Sequence, residues 1–236
     1  GLREKIIVQS KCGIRKGMFD FSREHILASV DGSLKRLGMD YLDVLLLHRP
    51  DTLMEPDEVA AAFDTLHAAG KVKHFGVSNQ NPWQMELLKT SVKQPLLFNQ
   101  LQMSVMFTGM VDAGFNVNMK NPPSVDHDGG ILPYCQLQGV TVQAWSPYQY
   151  GFFEGPFVGN KKFPKLNKAL EEVGEAHGIS ASAVASAWLL RHPVKMQVVL
   201  GTTKAERVRD IAKAADITLT REEWYRLYLA AGNELP

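Results

Sequence analysis

Leu42-Asp43-Val44-Leu45-Leu46-Leu47-His48-Arg49-Pro50 is the stretch whose reading decides the fold. Five of its first six residues are apolar, with no period-two alternation. A strand wetted on one face alternates; a near-continuous run belongs to a strand covered on both faces, as in a parallel sheet. The flanks agree. Upstream, Ile26, Val30, Leu34 and Leu37 form a helical face between Ser22, an N-cap residue, and Gly38, a helix stop. Downstream, Pro56 suits a first helical turn, Val59, Phe63 and Leu66 repeat at helical spacing, and Gly70 ends the stripe.

The alternation continues outward. Strands are expected at Ile6–Ser10, Leu42–Leu47, Val72–Val77, Leu96–Gln100, Val140–Ala144 and Val198–Leu200. Helices are expected after Asn81-Pro82, from Pro164 to Ala176, from Ser180 to Arg191 and from Lys204 to Ala214. A last one opens at the capping box Thr220…Glu223. Repeated strand–helix units with buried strands imply an α/β fold with a parallel sheet and helices outside. No GxGxxG follows any strand, so the dinucleotide fingerprint of the doubly wound fold is missing and a (β/α)8 TIM barrel is favoured. Six of its eight strands are expected here, in one domain over 1–236. At about 30 residues per unit, the shortfall corresponds to roughly 60 residues. The chain begins at Gly1 without an initiator methionine, so the expectation is a domain incomplete at its N-terminus. Two long irregular segments, 104–129 and 146–163, each follow a strand's C-terminal end, where barrels place their chemistry.

The composition, 45% hydrophobic and 22% charged, is that of an ordinary soluble enzyme-like domain. A net charge of +1 gives no electrostatic case for nucleic acid or an anionic membrane. No apolar run approaches the ~20 residues that span a bilayer. Cys12 and Cys135 are far apart and are expected as free thiols in a reducing, cytoplasmic setting. Asp126-His127-Asp128 lies in a glycine-rich turn, and no metal is expected.

Polar residues end successive strands: Lys11, His48, Ser78-Asn79, Asn99-Gln100 and Trp145-Ser146. In a barrel all five face one mouth. The motifs Ser10-Lys11, Leu47-His48-Arg49-Pro50, Gly70-Lys71-Val72-Lys73-His74-Phe75-Gly76-Val77-Ser78-Asn79, Asn99-Gln100 and Gly201-Thr202-Thr203…Glu206-Arg207-Val208 together resemble the aldo-keto reductase family from end to end of the chain. The resemblance implies an eight-stranded (β/α) barrel and NADPH-dependent reduction of an aldehyde or ketone, hence a small carbonyl substrate. The protein is then a monomer or weak oligomer.

The resemblance also implies roles. Hydride attack builds charge on the carbonyl oxygen, and the family protonates it with a tyrosine. A lysine ammonium beside that phenol favours phenolate and lowers its pKa. Lys11 matches this lysine, and His48 matches the histidine that orients the carbonyl. The family's tyrosine and its aspartate match nothing here, so these 236 residues are expected to carry two of the four catalytic residues and to be inactive alone. On the cofactor side, Ser78, Asn79 and Gln100 match residues that hold the nicotinamide carboxamide. Trp145, followed by Ser146, takes the place of an aromatic, commonly tyrosine, that stacks on the nicotinamide. Thr202, Thr203, Lys204 and Arg207 match the turn that receives the adenosine 2′-phosphate, with Arg207 as its ion partner. Thr203 and Glu206 have capping-box spacing. Tyr148, Tyr150, Phe152, Phe153 and Phe157 are candidate cleft or loop-anchoring aromatics. The alternative is a non-catalytic relative that binds the cofactor and serves as a regulatory or interaction protein.

Overall fold

The computed structural model describes all of residues 1–236. Contacts divide the chain into two units, Gly1–Gln100 and Leu101–Pro236. The first holds β1 (Gln9–Cys12), a hairpin of β2 (Ile14–Arg15) and β3 (Met18–Phe19), α1 (Arg23–Leu37), β4 (Leu42–Leu47), α2 (Pro56–Ala68), β5 (Val72–Ser78), α3 (Pro82–Lys89) and β6 (Leu96–Gln102). The last two residues of β6 belong to the second unit.

Local signals account for the helix ends. Ser22 accepts a hydrogen bond from the His25 N–H, and Gly38 closes α1 at φ 63°, a conformation open to glycine at no steric cost. Asn81 and Gln84 form a reciprocal capping box at the start of α3. β1, β4, β5 and β6 pair side by side, all parallel. Leu42 and Val44–Leu47 are at most 2% exposed, as the unbroken apolar run requires. Burying each such side chain contributes on the order of 1.5–3 kcal/mol. Phe63 of α2 stacks on Phe75 of β5 at 4.0 Å between ring centres. At Gly76 an added Cβ would lie 2.6 Å from the Phe98 carbonyl oxygen and 2.8 Å from Leu46 Cδ2. Close approach of the neighbours therefore demands glycine there.

The first strand is not where its apolar residues place it. Ile6 and Ile7 are 49% and 80% exposed, and the strand begins at Gln9. Its register is set by β4, with Gln9 opposite Val44 and Lys11 opposite Leu46. Just ahead of the strand, the Asp43 carboxylate accepts from the Val8 N–H at 2.9 Å and pairs with Arg3 at 2.7 Å and Lys73 at 3.1 Å. Burial alone would raise the Asp43 pKa, but the Val8 N–H and the Arg3 and Lys73 contacts outweigh it and bring it from 3.8 to about 2. A carboxyl depressed by folding contributes stability that is present above its unfolded pKa and lost as pH falls through the folded one. Stability should therefore decline between pH 3.8 and about 2. Asp43→Asn should be less stable at neutral pH and show a shallower decline in that window. Urea midpoints across the acid range check this; parallel curves for the two proteins would refute it.

The second unit holds α4 (Gly109–Phe115), α5 (Ile131–Gln138), β7 (Thr141–Trp145), α6 (Pro164–His177), α7 (Ala181–Leu190), β8 (Met196–Val198), α8 (Ala205–Ala212) and α9 (Arg221–Ala230). β7 and β8 are parallel, Val142 opposite Met196 and Ala144 opposite Val198. The segment 104–129 is less irregular than its composition suggests, because it contains α4 and a 3₁₀ turn at Pro122–Ser124. The segment 146–163 holds no helix or ladder strand, only the bridge between Gln149 and Pro156. Thr220 and Glu223 form the expected capping box on α9. No helix is long and apolar enough to cross a membrane.

Candidate active site and cofactor pocket

In the first unit, parallel pairing brings the C-terminal ends of four strands together. The His48 N–H donates to the Cys12 carbonyl at 2.9 Å, and Ser78 lies opposite Gln100. Lys11, His48, Ser78, Asn79 and Gln100 are therefore all found at this end. The Lys11 ammonium donates to Gln100 Oε1 at 2.9 Å. Burial lowers the Lys11 pKa. The His48 pKa is lowered first by burial, then by the Lys11 ammonium and by Arg49. An imidazole held neutral keeps one N–H donor and one acceptor, as needed to hydrogen-bond a carbonyl oxygen.

Ser78 is 1% exposed; its hydroxyl donates to the Gln100 carbonyl at 2.9 Å and accepts from Asn79 Nδ2 at 2.8 Å. The Asn79 N–H also donates to the Gln100 carbonyl, at 3.0 Å. Asn79 has φ 56°, left-handed backbone that asparagine tolerates better than most residues. That turn re-aims the chain directly after β5. Ser78 thus acts through its neighbours, fixing Asn79 and Gln100 at the strand ends.

The tyrosine of this unit lies elsewhere. Tyr41 precedes β4, at the end away from His48, sandwiched by the Arg3 guanidinium at 3.8 Å and the Lys73 ammonium at 3.9 Å from its ring centre. No carboxylate pairs with Lys11.

In the second unit, a cavity of about 690 Å³ is bounded by Trp145 and Ser146 at the end of β7, by Gly201 and Thr202 after β8, and by Arg207 on α8. Its size falls within the range of small-molecule sites. Ser146 has φ 52°, so the chain turns sharply after β7 as it does after β5. Serine is less at ease there than asparagine, and such strain is characteristic of ligand sites. Phe153 stacks on Trp145 at 5.9 Å and Phe152 meets it edge-on at 6.1 Å. Of the other loop aromatics, Tyr148 lines the cavity and bonds Ser186 at 2.7 Å. Tyr150 packs on Phe163, and Phe157 is fully buried as a loop anchor.

One expectation about this turn is corrected. Thr203 and Glu206 do not form a capping box: α8 starts at Ala205, its N-cap is Lys204, and no side chain caps it. The frame is one residue later because Thr202 Oγ1 takes the Lys204 N–H at 3.2 Å, ordering the turn ahead of the helix. Thr203 and Lys204 are exposed and do not line the cavity, whereas Thr202 and Arg207 do. The uncapped helix start leaves backbone N–H groups available to an anion. An added Cβ at Gly201 would meet nothing within 4 Å, so the backbone is open to a ligand. Asp210 also lines the cavity, accepting from Ser180 Oγ at 2.5 Å. Nothing local in the sequence marks it, because its partner is 30 residues away.

The profile of the Aldo/keto reductase family matches residues 1–229. A 6-dehydroglucose reductase of Agrobacterium fabrum is 40% identical over 247 residues, covering 100% of this chain and 76% of the relative. The oxidoreductase YdhF of Escherichia coli is 36% identical over 245 residues, covering 100% and 76%. Among solved structures, a thermostable aldo-keto reductase crystallised with the inhibitor epalrestat superposes with a TM-score of 0.74 at 25% identity, over 97% of this chain and 72% of its own. An aldo/keto reductase from Klebsiella pneumoniae, in complex with NADP and acetate, has a TM-score of 0.73 at 24% identity, over 99% and 72%, and supports the fold.

Proposed function

We propose, from the premise that this chain belongs to the aldo/keto reductase family, a division of labour among its own residues in reducing a carbonyl to an alcohol. The fold is the (β/α) barrel type of that family, which we read as one domain. The cofactor is a nicotinamide dinucleotide, and we take it to be NADPH. When bound, it supplies the hydride that the carbonyl carbon receives. Gln100, Asn79 and, through them, Ser78 would hold the carboxamide. Trp145 and Ser146 would bound the nicotinamide side of the second unit's cavity. Thr202 and Arg207 would receive the 2′-phosphate, with Thr203 and Lys204 on the outer side of the same turn. The residues fit such a group: Arg207 is exposed and forms none of the ion pairs of this unit, which use Lys168, His177, Lys213 and Arg226.

The observation that carries the reading is the Lys11–Gln100 hydrogen bond beside a His48 held toward its neutral form. Lys11 tunes the proton donor, and His48 orients the carbonyl oxygen. We further propose that these 236 residues hold only part of the catalytic set, since neither a phenol nor a carboxylate meets Lys11. That same observation favours the second reading, a cofactor-binding protein without turnover. A reducing, cytoplasmic setting belongs to this proposal, since Cys12 and Cys135 are both buried and form no disulfide, and so does a monomeric or weakly associating state, carried over from the family resemblance alone.

Arg207→Glu tests the cofactor assignment. Losing a charge-assisted pair and adding repulsion should weaken NADPH by roughly 2–4 kcal/mol, with NADH much less affected because it lacks the 2′-phosphate. Fluorescence titration of both cofactors measures it; equal losses would remove Arg207 from the phosphate site.

A further inference from the structure

A second cavity of the Leu101–Pro236 unit, about 350 Å³, shares no lining residue with the cavity assigned to the cofactor. It lies between α4, α5, the turn after α7 and the start of α9. Val111, Phe115, Leu132, Pro133 and the indole of Trp224 make its walls apolar. Its charged lining is all of one sign: Arg191 and Arg221, with no aspartate or glutamate. Neither arginine takes part in the ion pairs of this unit. Arg191 is anchored by its Nε–H, which donates to the Leu219 carbonyl at 2.7 Å, so the guanidinium is oriented while its terminal nitrogens make no salt bridge.

His192 adds a neutral donor. Its Nδ1 accepts from the Val194 N–H at 3.2 Å, which places the ring proton on Nε2. Burial lowers its pKa, keeping that tautomer neutral. Tyr225 contributes a phenol to the same lining.

We propose that this cavity is a binding site for a small apolar carboxylate, such as an arylacetate, separate from the cofactor and carbonyl sites. The apolar walls take the ring or chain. Arg221 and the oriented Arg191 fork meet the carboxylate, since guanidinium–carboxylate pairs favour this planar geometry. A neutral apolar ligand would leave both arginines unmatched, and a cation would be repelled. Sites of this composition, apolar walls with a few convergent polar groups, are the usual form of small-molecule pockets.

Isothermal titration calorimetry with phenylacetate, and with phenylacetamide as its uncharged counterpart, tests this on the 236-residue chain. Saturable phenylacetate binding is expected, at least about tenfold weaker for the amide and for Arg221→Gln, the loss typical of a charge-assisted contact. Arg221 is exposed at the first turn of α9, so its replacement should leave the fold intact, as circular dichroism would verify. Leu132→Trp, which fills the cavity, should abolish binding, while Arg207→Glu should leave it unchanged. No saturable binding, equal affinity for acid and amide, or binding lost in Arg207→Glu but kept in Arg221→Gln would each overturn the proposal. Because the readout is ligand binding without cofactor, failure here leaves the reductase reading untouched, and failure of that reading leaves this site standing.

Discussion

The 236-residue chain should consume NADPH with a reactive aldehyde about 10²–10⁴-fold more slowly than a longer version carrying a tyrosine and an aspartate ahead of Gly1, the range typical for loss of a general acid. Lys11 lies in β1, half-buried, with its ammonium on Gln100 Oε1. An ammonium so placed can hold a neighbouring phenol toward its ionised form, but it protonates a carbonyl oxygen poorly by itself. Its burial lowers its own pKa, and no carboxylate offsets that. His48 is biased toward neutrality, so it can position the oxygen and is a weak proton source at neutral pH. Tyr41 cannot substitute, because it is held at the far end of β4 between Arg3 and Lys73. β1 also has a single strand neighbour, β4, so one edge of a short strand carrying Lys11 lacks a ladder partner within its unit. Spectrophotometric turnover for both versions decides it. Equal rates would mean that the proton comes from within these residues, and the assignment of Lys11 as a tuning group would fall.

Trp188→Ala should cost about 3–5 kcal/mol of stability, the range for removing a large aromatic from a core. Trp188 of α7 is 0% exposed and stacks on Trp224 of α9, ring centres 4.7 Å apart and planes within 11°. Each indole Nε1–H donates to the other residue's backbone carbonyl at 3.1 Å. Tyr228 also stacks on Trp224, at 5.7 Å between ring centres. Truncation therefore removes the packing, opens a cavity and deletes one of the two reciprocal hydrogen bonds. Trp224→Phe keeps most of the stack and loses one such bond, so it should cost nearer 1 kcal/mol from that bond. Urea titration gives both numbers; a Trp188→Ala loss below that of Trp224→Phe would show that the pair does not hold α7 to α9.

Much of this protein was legible along the chain, and the legible parts share a cause. Ser22, Asn81, Ser180 and Thr220 cap their helices as their side chains suggest, because a cap bonds an N–H only three residues away. Leu42–Leu47 is buried as an unbroken apolar run must be. The polar residues at the strand ends of the first unit, Lys11, His48, Asn79 and Gln100, follow from parallel pairing once the strands are recognised.

Two of the three misplacements, at β1 and at Gly109–Phe115, have a long-range cause, and the third, at Thr203, is a local competition between neighbouring side chains. Ile6 and Ile7 read as strand, yet the strand starts at Gln9, because β4 and the Asp43 carboxylate, some 35 residues away in sequence, set its register. Thr203 reads as a cap, yet Thr202 orders the turn and moves the helix start. Gly109–Phe115 lacks a clear apolar period but is helical, held by Tyr228 and Asn233 through Asp112 and Thr108 more than 100 residues away. By itself the sequence determined most helix ends, the identity of the strands and the kinds of residue at the strand ends, because those depend on neighbours within about one turn. Only the tertiary structure decided the register of β1, the helix at Gly109–Phe115 and the two cavities, because each is set by groups far apart along the chain.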